Sequence, residues 1–392
     1  MFQRMDFHCV MVRYGEIGIK SEQIRAKYER LLVKNIEAML RENGIPFEDI
    51  VRERGRIFVL SGDRRAPDII ARVFGVVSSS PVAVTGTDIK DVQGTAAALG
   101  RETIGMNSSF AIRARRAGDQ PYTSQEIGRM CGDAVFEAVR ERNPRVDLKG
   151  PDHEIFVEMR ESRSYVFSKI IKGVGGMPMG SQGKMVALIS GGIDSPVAAW
   201  LMMRRGCDLI PVFFNNGKFS DKDYTERAMD TIKKLKEWAP GRTFKIYEVP
   251  HGDSLREFID RGNVKYTCVF CKHMMYRTAI EIAKKEGAHG LITGSSLGQV
   301  ASQTSDNLMI EHYRIDFPIY HPLIGLDKNE IVEIARKIGT YDISVRPATC
   351  CKAVPKHPSI HGQLEEIERI EADFDMKALA RRELDGAVMT TL

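Results

Sequence analysis

Residues 186–200 read VALISGGIDSPVAAW. An apolar run stops at Ser190-Gly191-Gly192, turns through Ile193-Asp194-Ser195-Pro196, and resumes in small apolar residues. The segment 185–189 predicts a short buried strand, and 196–205 a helix with apolar residues at helical spacing. Pro196 suits the first turn of that helix, with Asp194 or Ser195 as its cap. Gly191 and Gly192 let the backbone approach a ligand with no Cβ in the way. The helix N-terminus then offers free N–H groups and a positive dipole end to an anion. A glycine-rich turn also serves plain packing between a strand and a helix.

Downstream the pattern repeats. MVALIS, DLIPVFFN, FKIYEVP and GLITGSS read as strands, each followed by a helical stretch. Such alternation predicts an α/β fold with a doubly wound parallel sheet over 185–392. Ligands in these sheets lie beyond the carboxyl ends of the strands. ALIS, VFFNN and LITGSS all end there, so one nucleotide can touch all three. The loop is neither G-x-x-x-x-G-K-[ST] nor G-x-G-x-x-G. Its S-G-G-x-D-S pattern resembles the pyrophosphate loop of enzymes that split ATP into AMP and pyrophosphate.

The whole chain of 392 residues is long enough for two or three domains. Its composition, 43% hydrophobic and 28% charged, is that of an ordinary globular protein. No apolar run approaches the roughly eighteen residues of a membrane-spanning helix, and MFQRMDFHCVMVRYG lacks the apolar core of a signal peptide. A cytoplasmic protein without membrane contact is expected. Seven cysteines without a secretion signal point to thiols, metal ligands or catalysis rather than a disulfide framework.

The first 172 residues are organised differently. Segment 1–60 reads strand, long helix (22–43), strand, with Leu31, Leu32, Ile36 and Leu40 on one helical face. A second α+β segment, 61–172, holds YTSQEIGRMCGDAVFEAV, where Thr123 and Glu126 form a capping box and Cys131 joins an apolar stripe. FAIRARRAG predicts a strand with Ile112 and Ala114 on one face, Arg113 and Arg115 on the other, and Arg116 following. A net charge of +5 is too weak to argue for nucleic acid, and such a strand face is commonly just solvated. A glycine-rich loop, 173–184, separates these parts from the α/β domain.

Along nearly its whole length the chain resembles the tRNA 4-thiouridine synthase family, also called tRNA sulfurtransferases or thiamine-biosynthesis sulfurtransferases. The segments that carry the resemblance are RYGEIGIKS, YTSQEIGR, VGGMPMGSQGKMVALISGGIDSPVA, TGSSLGQVASQT, HPLIGLDKNEI and CCKAVPKHP. The family joins a ferredoxin-like domain (here 1–60), a THUMP RNA-binding domain (61–172) and a pyrophosphate-loop adenylation domain. Some members add a rhodanese domain; about forty residues follow the last cysteine here, and none is expected.

The resemblance implies ATP-dependent replacement of the 4-oxygen of uridine 8 in tRNA by sulfur. Thiolation of another tRNA base, or sulfur transfer for the thiamine thiazole, are the alternatives. Arg113, Arg115 and Arg116 then become RNA contacts, in keeping with recognition of RNA by shape and phosphate. Ser190, Gly191, Gly192 and Ser195 would hold the phosphates and Asp194 Mg²⁺. Leu188, Ile189, Phe213, Phe214, Lys272, Gly294 and Gln303 are implied to touch ATP, and sheet packing alone also accounts for Leu188, Ile189 and Phe213. Lys328 matches a family lysine suited to charge on phosphate or the reacting oxygen.

The sulfur chemistry is specific to this sequence. Cys268 and Cys271 form C-x-x-C, and Cys350 and Cys351 are neighbours. Spacing to Lys356 and Pro358 aligns Cys351 with the reactive cysteine of the family. A C-x-x-C combined with a missing rhodanese cysteine resembles tRNA thiolases in which three cysteines hold an iron–sulfur cluster, one iron being left open for sulfide. The expected metal ligands are Cys268, Cys271 and Cys351. A persulfide relay through the same thiols is the alternative. The expected partners are tRNA and a sulfur donor, sulfide or a cysteine desulfurase, and a homodimer is compatible with the sequence.

Overall fold

The computed structural model describes residues 8–53, 55–348 and 351–392. Cys350 therefore lies outside the described residues. The chain forms two compact units, one ending at Gly176 and the other running Met177–Leu392, so the division falls inside the glycine-rich loop 173–184.

The first unit is built on a nine-stranded sheet. Strand Cys9–Tyr14 pairs antiparallel with Arg56–Leu60 and with Val76–Thr85. Helix Glu22–Glu42 lays Leu32, Ile36, Met39 and Leu40 on this sheet. Ala66, Ile70, Val73 and Val76 bury in the same core as Val10 and Leu32. The expected boundary near residue 60 is thus displaced: the first domain keeps the helix Ala66–Ala71 and most of the long strand. An apolar run such as 69–76 has the same local pattern whichever sheet it joins, so only the long-range pairing reveals its owner.

The Val76–Thr85 strand also pairs, through its last three residues, with Ser164–Phe167. That carries the same sheet into its other half, where Ser109–Arg116 runs parallel to His153–Met159. Helix Ser124–Ala138 opens with the expected capping box between Thr123 and Glu126. It buries Ile127, Cys131 and Val135 against Phe110 and Ile155, which makes Cys131 a core residue.

The second unit is a six-stranded sheet in the order Ile319–Tyr320, Leu291–Ile292, Lys184–Leu188, Asp208–Asn215, Lys245–Pro250, Val388–Thr391. The first five are parallel and the last is antiparallel. Helices cover both faces, which is why the central strands are apolar throughout rather than alternating. Beyond Cys351 the chain adds helices Leu364–Asp373 and Met376–Asp385 and then the antiparallel edge strand. Cys351 is therefore followed by two further helices and an edge strand of the same domain. Met376 and Leu379 bury with Phe258, Phe270 and Phe374, whose rings stack or tilt at 4.2–5.6 Å. Each such ring withdrawn from water stabilises the unit by roughly 1.5–3 kcal/mol. Among the described residues no helix is long and apolar enough to cross a membrane.

Candidate nucleotide and sulfur site

The loop after Lys184–Leu188 is closed upon itself by its two serines. Ser190 N donates to Ser195 Oγ at 2.9 Å, the two hydroxyls lie 3.1 Å apart, and Gly192 N donates to Ser190 Oγ at 3.3 Å. Helix Asp194–Arg204 follows, with Ile193 at its cap position and no side-chain cap bond. The expected cap by Asp194 or Ser195 is absent because Ser195 is committed across the loop and Asp194 is already helical. The helix N–H groups are left for an anion. Two glycines permit this geometry: a Cβ on Gly191 would stand 2.7 Å from Arg227 Nε, and one on Gly294 would stand 2.7 Å from Ser195 N. Gly294, at the end of the Leu291–Ile292 strand, is therefore packed directly against the helix start.

Asp194 and Lys328 meet across 134 residues of sequence, Nζ to Oδ1 at 2.7 Å, and Lys328 Nζ also reaches Gln299 Oε1 at 3.3 Å. Lys328 is the first residue of helix Lys328–Ile338, which Asp327 and Glu330 cap as a box. A cation at a helix N-terminus opposes the dipole. Its place there makes sense if it answers negative charge, now Asp194 and, with ligand, phosphate.

Leu188 is half-buried and Ile189 is buried at the strand end. Phe213 and Phe214 are both buried, but adjacent strand residues point to opposite faces. Phe213 packs on Tyr224 with ring centroids 5.8 Å apart, while Phe214 sits in the sheet core against His251 at 5.6 Å. Lys272 Nζ lies 3.4 Å from Glu311 Oε1 and donates to Ser302 O at 3.4 Å. Burial pushes the Glu311 carboxyl up to about 7, against the opposing charge of Lys272. Gln303 is in the adjoining short turn with its buried Oε1 lacking a hydrogen-bond partner.

Cys268 and Cys271 occupy the opening turns of Thr267–Glu286, three residues apart and so on one face. Cys351 and Cys271 pack at the edge of one apolar cluster. Burial raises the Cys268 and Cys271 thiols, and the charge of Cys351 raises both further. Cys271 and Cys351 thus share one apolar cluster, with Cys268 a turn away on the helix, but among the described residues no group of three or more His, Cys, Asp or Glu is drawn together as a metal-holding set. Cys9, Cys131 and Cys207 are buried elsewhere, and burial pushes their thiols up to about 12, 12 and 11.

Tyr224 joins the two halves of the site. Its ring packs on Phe213 and its carbonyl lies 3.3 Å from where a Cβ on Gly191 would stand; burial first, then the charges of Cys351 and Cys271, push its hydroxyl up to about 12. Sequence reasoning passed over Tyr224, Glu311, Gln299 and Asn216, whose Nδ2 donates to Cys351 Sγ at 3.5 Å. The Asn-Asn-Gly at the end of the Asp208–Asn215 strand was the available signal for Asn216, since that sheet edge is where ligands bind. A separate cleft of about 370 Å³, lined in part by Arg277, Lys284 and Arg381, includes none of these residues.

In the first unit, Arg113 is ion-paired to Glu154 at 2.7 Å and donates to Leu148 O at 3.0 Å. Arg116 donates to Gln120 O at 2.9 Å. Arg115 lines a cleft of about 600 Å³ together with Arg56, Arg160 and Glu158.

Comparison with known proteins adds the following. The Thiamine biosynthesis protein (ThiI) family matches residues 180–376, the ThiI ferredoxin-like domain 9–80 and the THUMP domain 86–169. A probable tRNA sulfurtransferase of Methanosarcina acetivorans is 52% identical over 96% of this chain and 90% of its own length. One of Methanosarcina mazei is 51% identical over 98% and 96%. A crystal structure of a 4-thiouridine synthetase–RNA complex with bound ATP superposes with a TM-score of 0.88 at 30% identity, covering 98% of this chain and 99% of that one. A crystal structure from Pyrococcus horikoshii superposes with a TM-score of 0.67 at 29% identity, covering 84% and 99%.

Proposed function

Because the chain belongs to the ThiI family of tRNA sulfurtransferases, ATP-dependent enzymes, we propose that it converts uridine 8 of tRNA to 4-thiouridine. The observation that carries this is the convergence at one sheet edge of the Ser190–Ser195 loop, with Lys328 on Asp194 at 2.7 Å, and of Asn216, which holds Cys351 Sγ at 3.5 Å. A 4-thiouridine synthetase homologue has been crystallised with RNA and ATP, and on that basis RNA and ATP are assigned to this chain as well.

The uracil 4-oxygen is a poor leaving group. Its attack on the α-phosphorus of ATP expels pyrophosphate and gives an adenylated uracil, with the N3 proton released. Ser190, Gly191, Gly192 and Ser195 hold the departing phosphates on the helix N-terminus. Lys328, released from Asp194, compensates charge on them. Asp194 has a second carboxylate oxygen beyond the one that meets Lys328, a hard donor that fits Mg²⁺; the ion would neutralise phosphate charge there. Leu188, Ile189, Phe213, Phe214, Lys272, Gly294 and Gln303 surround the adenosine, Phe214 through its backbone because its ring belongs to the core. Sulfur then attacks C4, AMP leaves and N3 regains a proton. Arg113, Arg115 and Arg116 contact RNA phosphates.

Sulfur comes from sulfide or a cysteine desulfurase and is carried by Cys268, Cys271 and Cys351. Three thiols are the donor chemistry of an iron–sulfur cluster, which when bound would supply an open iron for sulfide. The persulfide alternative uses the same thiols, takes sulfane sulfur from a cysteine desulfurase rather than from sulfide, and releases it as a neighbouring thiol closes a disulfide with the carrier. Anaerobic purification followed by iron and acid-labile sulfide analysis separates the two.

Purified protein given unmodified tRNA, ATP, Mg²⁺ and sulfide should yield AMP, pyrophosphate and 4-thiouridine by nucleoside mass spectrometry. Another thionucleoside, or none, overturns the proposal.

A further inference from the structure

We propose that Asn216 is a positioning residue for sulfur transfer, its side-chain amide holding the Cys351 sulfur beside the Cys268–Cys271 pair. The inference rests on the reading of Cys351 as a sulfur carrier.

Asn216 follows the Asp208–Asn215 strand at the ligand edge of the sheet and is only 6% exposed. Its Nδ2 donates to Cys351 Sγ at 3.5 Å across 135 residues of sequence, while its Oδ1 is buried without a hydrogen-bond partner. Buried amides in folded proteins ordinarily place both ends against partners. Here the donor end is given to sulfur, a weak acceptor as a thiol and a much stronger one as an anion. A bond that strengthens only when the sulfur bears charge contributes more to a reacting state than to the resting fold.

The backbone fixes where the amide points. Asn215 Oδ1 accepts from Gly217 N at 2.9 Å, and Phe219 N donates to Asn216 O at 3.1 Å. Gly217 turns with φ +56, and Gly252 comes so close that a Cβ there would stand 2.7 Å from Asn216 O. From the opposite side, Lys352 N donates to Phe219 O at 2.8 Å. Two bonds therefore join the 216–219 turn to residues 351–352, and one of them ends on the sulfur. Phe219, Cys271 and Cys351 pack against a common apolar cluster. The turn thus holds a thiol delivered by a distant loop next to thiols delivered by a helix.

Asn216→Asp keeps the side-chain shape and removes the donor; Asn216→Leu removes both polar ends. Each variant is assayed with tRNA, ATP, Mg²⁺ and a cysteine desulfurase with cysteine for two outputs, pyrophosphate release and 4-thiouridine. The reduced proteins are also oxidised with diamide and their disulfides mapped by peptide mass spectrometry. The expected result is about tenfold less 4-thiouridine, the loss of one hydrogen bond to a charged group, with pyrophosphate release within about twofold of wild type. Disulfides should shift from pairs containing Cys351 toward Cys268–Cys271. Wild-type thiolation by Asn216→Asp overturns the proposal, and so does an equal loss of both outputs, the mark of a merely structural residue. Asn216→Asp decides if Asn216→Leu does not fold. Cys351→Ser separates the two readings. If it still thiolates, the carrier assignment itself falls. If it does not, and Asn216→Asp behaves as wild type, only the role of Asn216 falls.

Discussion

In the N-terminal unit, Arg56, Arg113 and Arg160 each reach a carboxylate within 3.3 Å. In the C-terminal unit, buried side-chain atoms of Asn216, Ser220, Arg227 and Gln303 have no hydrogen-bond partner, and all four belong to segments at or near the ligand edge of the sheet. The contrast fits what each unit is proposed to handle. A surface that grips a polyanion works through exposed cations, so few interior polar atoms need be left over, here Arg56 Nε and Ser164 Oγ among the described residues. A site that must enclose nucleotide and sulfur keeps polar atoms in reserve, because their partners arrive with the ligand.

The strongest way to break this contrast is Asp194→Ala. It should lower 4-thiouridine formation about a thousandfold while tRNA affinity, measured by filter binding, stays within about twofold. Comparable loss of binding would show that the two units share one task. Next is Gly294→Ala, whose Cβ would press on the backbone of Ser195 at 2.7 Å. A backbone atom cannot step aside as a flexible side chain can, so turnover should fall about a hundredfold with KM for ATP raised.

Charge reversal of Arg113 and Arg115 sharpens the other side. Two lost phosphate contacts should reduce the slope of log affinity against log salt by roughly 1.5 and weaken tRNA binding about tenfold at low salt. Arg115→Glu should account for more of this than Arg113→Glu, because Arg113 already answers Glu154. Smallest is Glu311→Gln. Burial raises the Glu311 carboxyl to about 7 in the folded protein, above the roughly 4.3 of an unfolded chain. Between those values the folded state binds more protons, so stability falls as pH rises through the window and is lowest above it. Replacement by a neutral amide should flatten the melting temperature between about pH 5 and pH 8 by a few degrees.

What the sequence revealed was whatever is written locally. The strand–loop–helix around Ser190, the Thr123–Glu126 capping box and the helix beginning at Glu22 each depend on residues a few positions apart. The misplaced boundary near residue 60 and the two helices after Cys351 depend on which distant surface an amphipathic segment meets, and a period of 3.6 does not encode that. The same holds within the site. Lys328 was recoverable from a motif, yet its pairing with Asp194 was not, and the Asn-Asn-Gly signal at Asn216 says nothing of its bond to Cys351.

The Asp194–Lys328 pair has a consequence for the order of events. With the lysine in place the empty loop is close to electroneutral, and a bare divalent ion would have to displace an ammonium already seated at 2.7 Å. Nucleotide brings its own anionic charge, which draws the lysine away and frees the carboxylate. Under the proposed assignment binding would be sequential by electrostatics alone: magnesium would enter as the escort of ATP and not ahead of it. Magnesium chloride without nucleotide should leave the melting temperature unchanged, whereas the magnesium–ATP complex raises it.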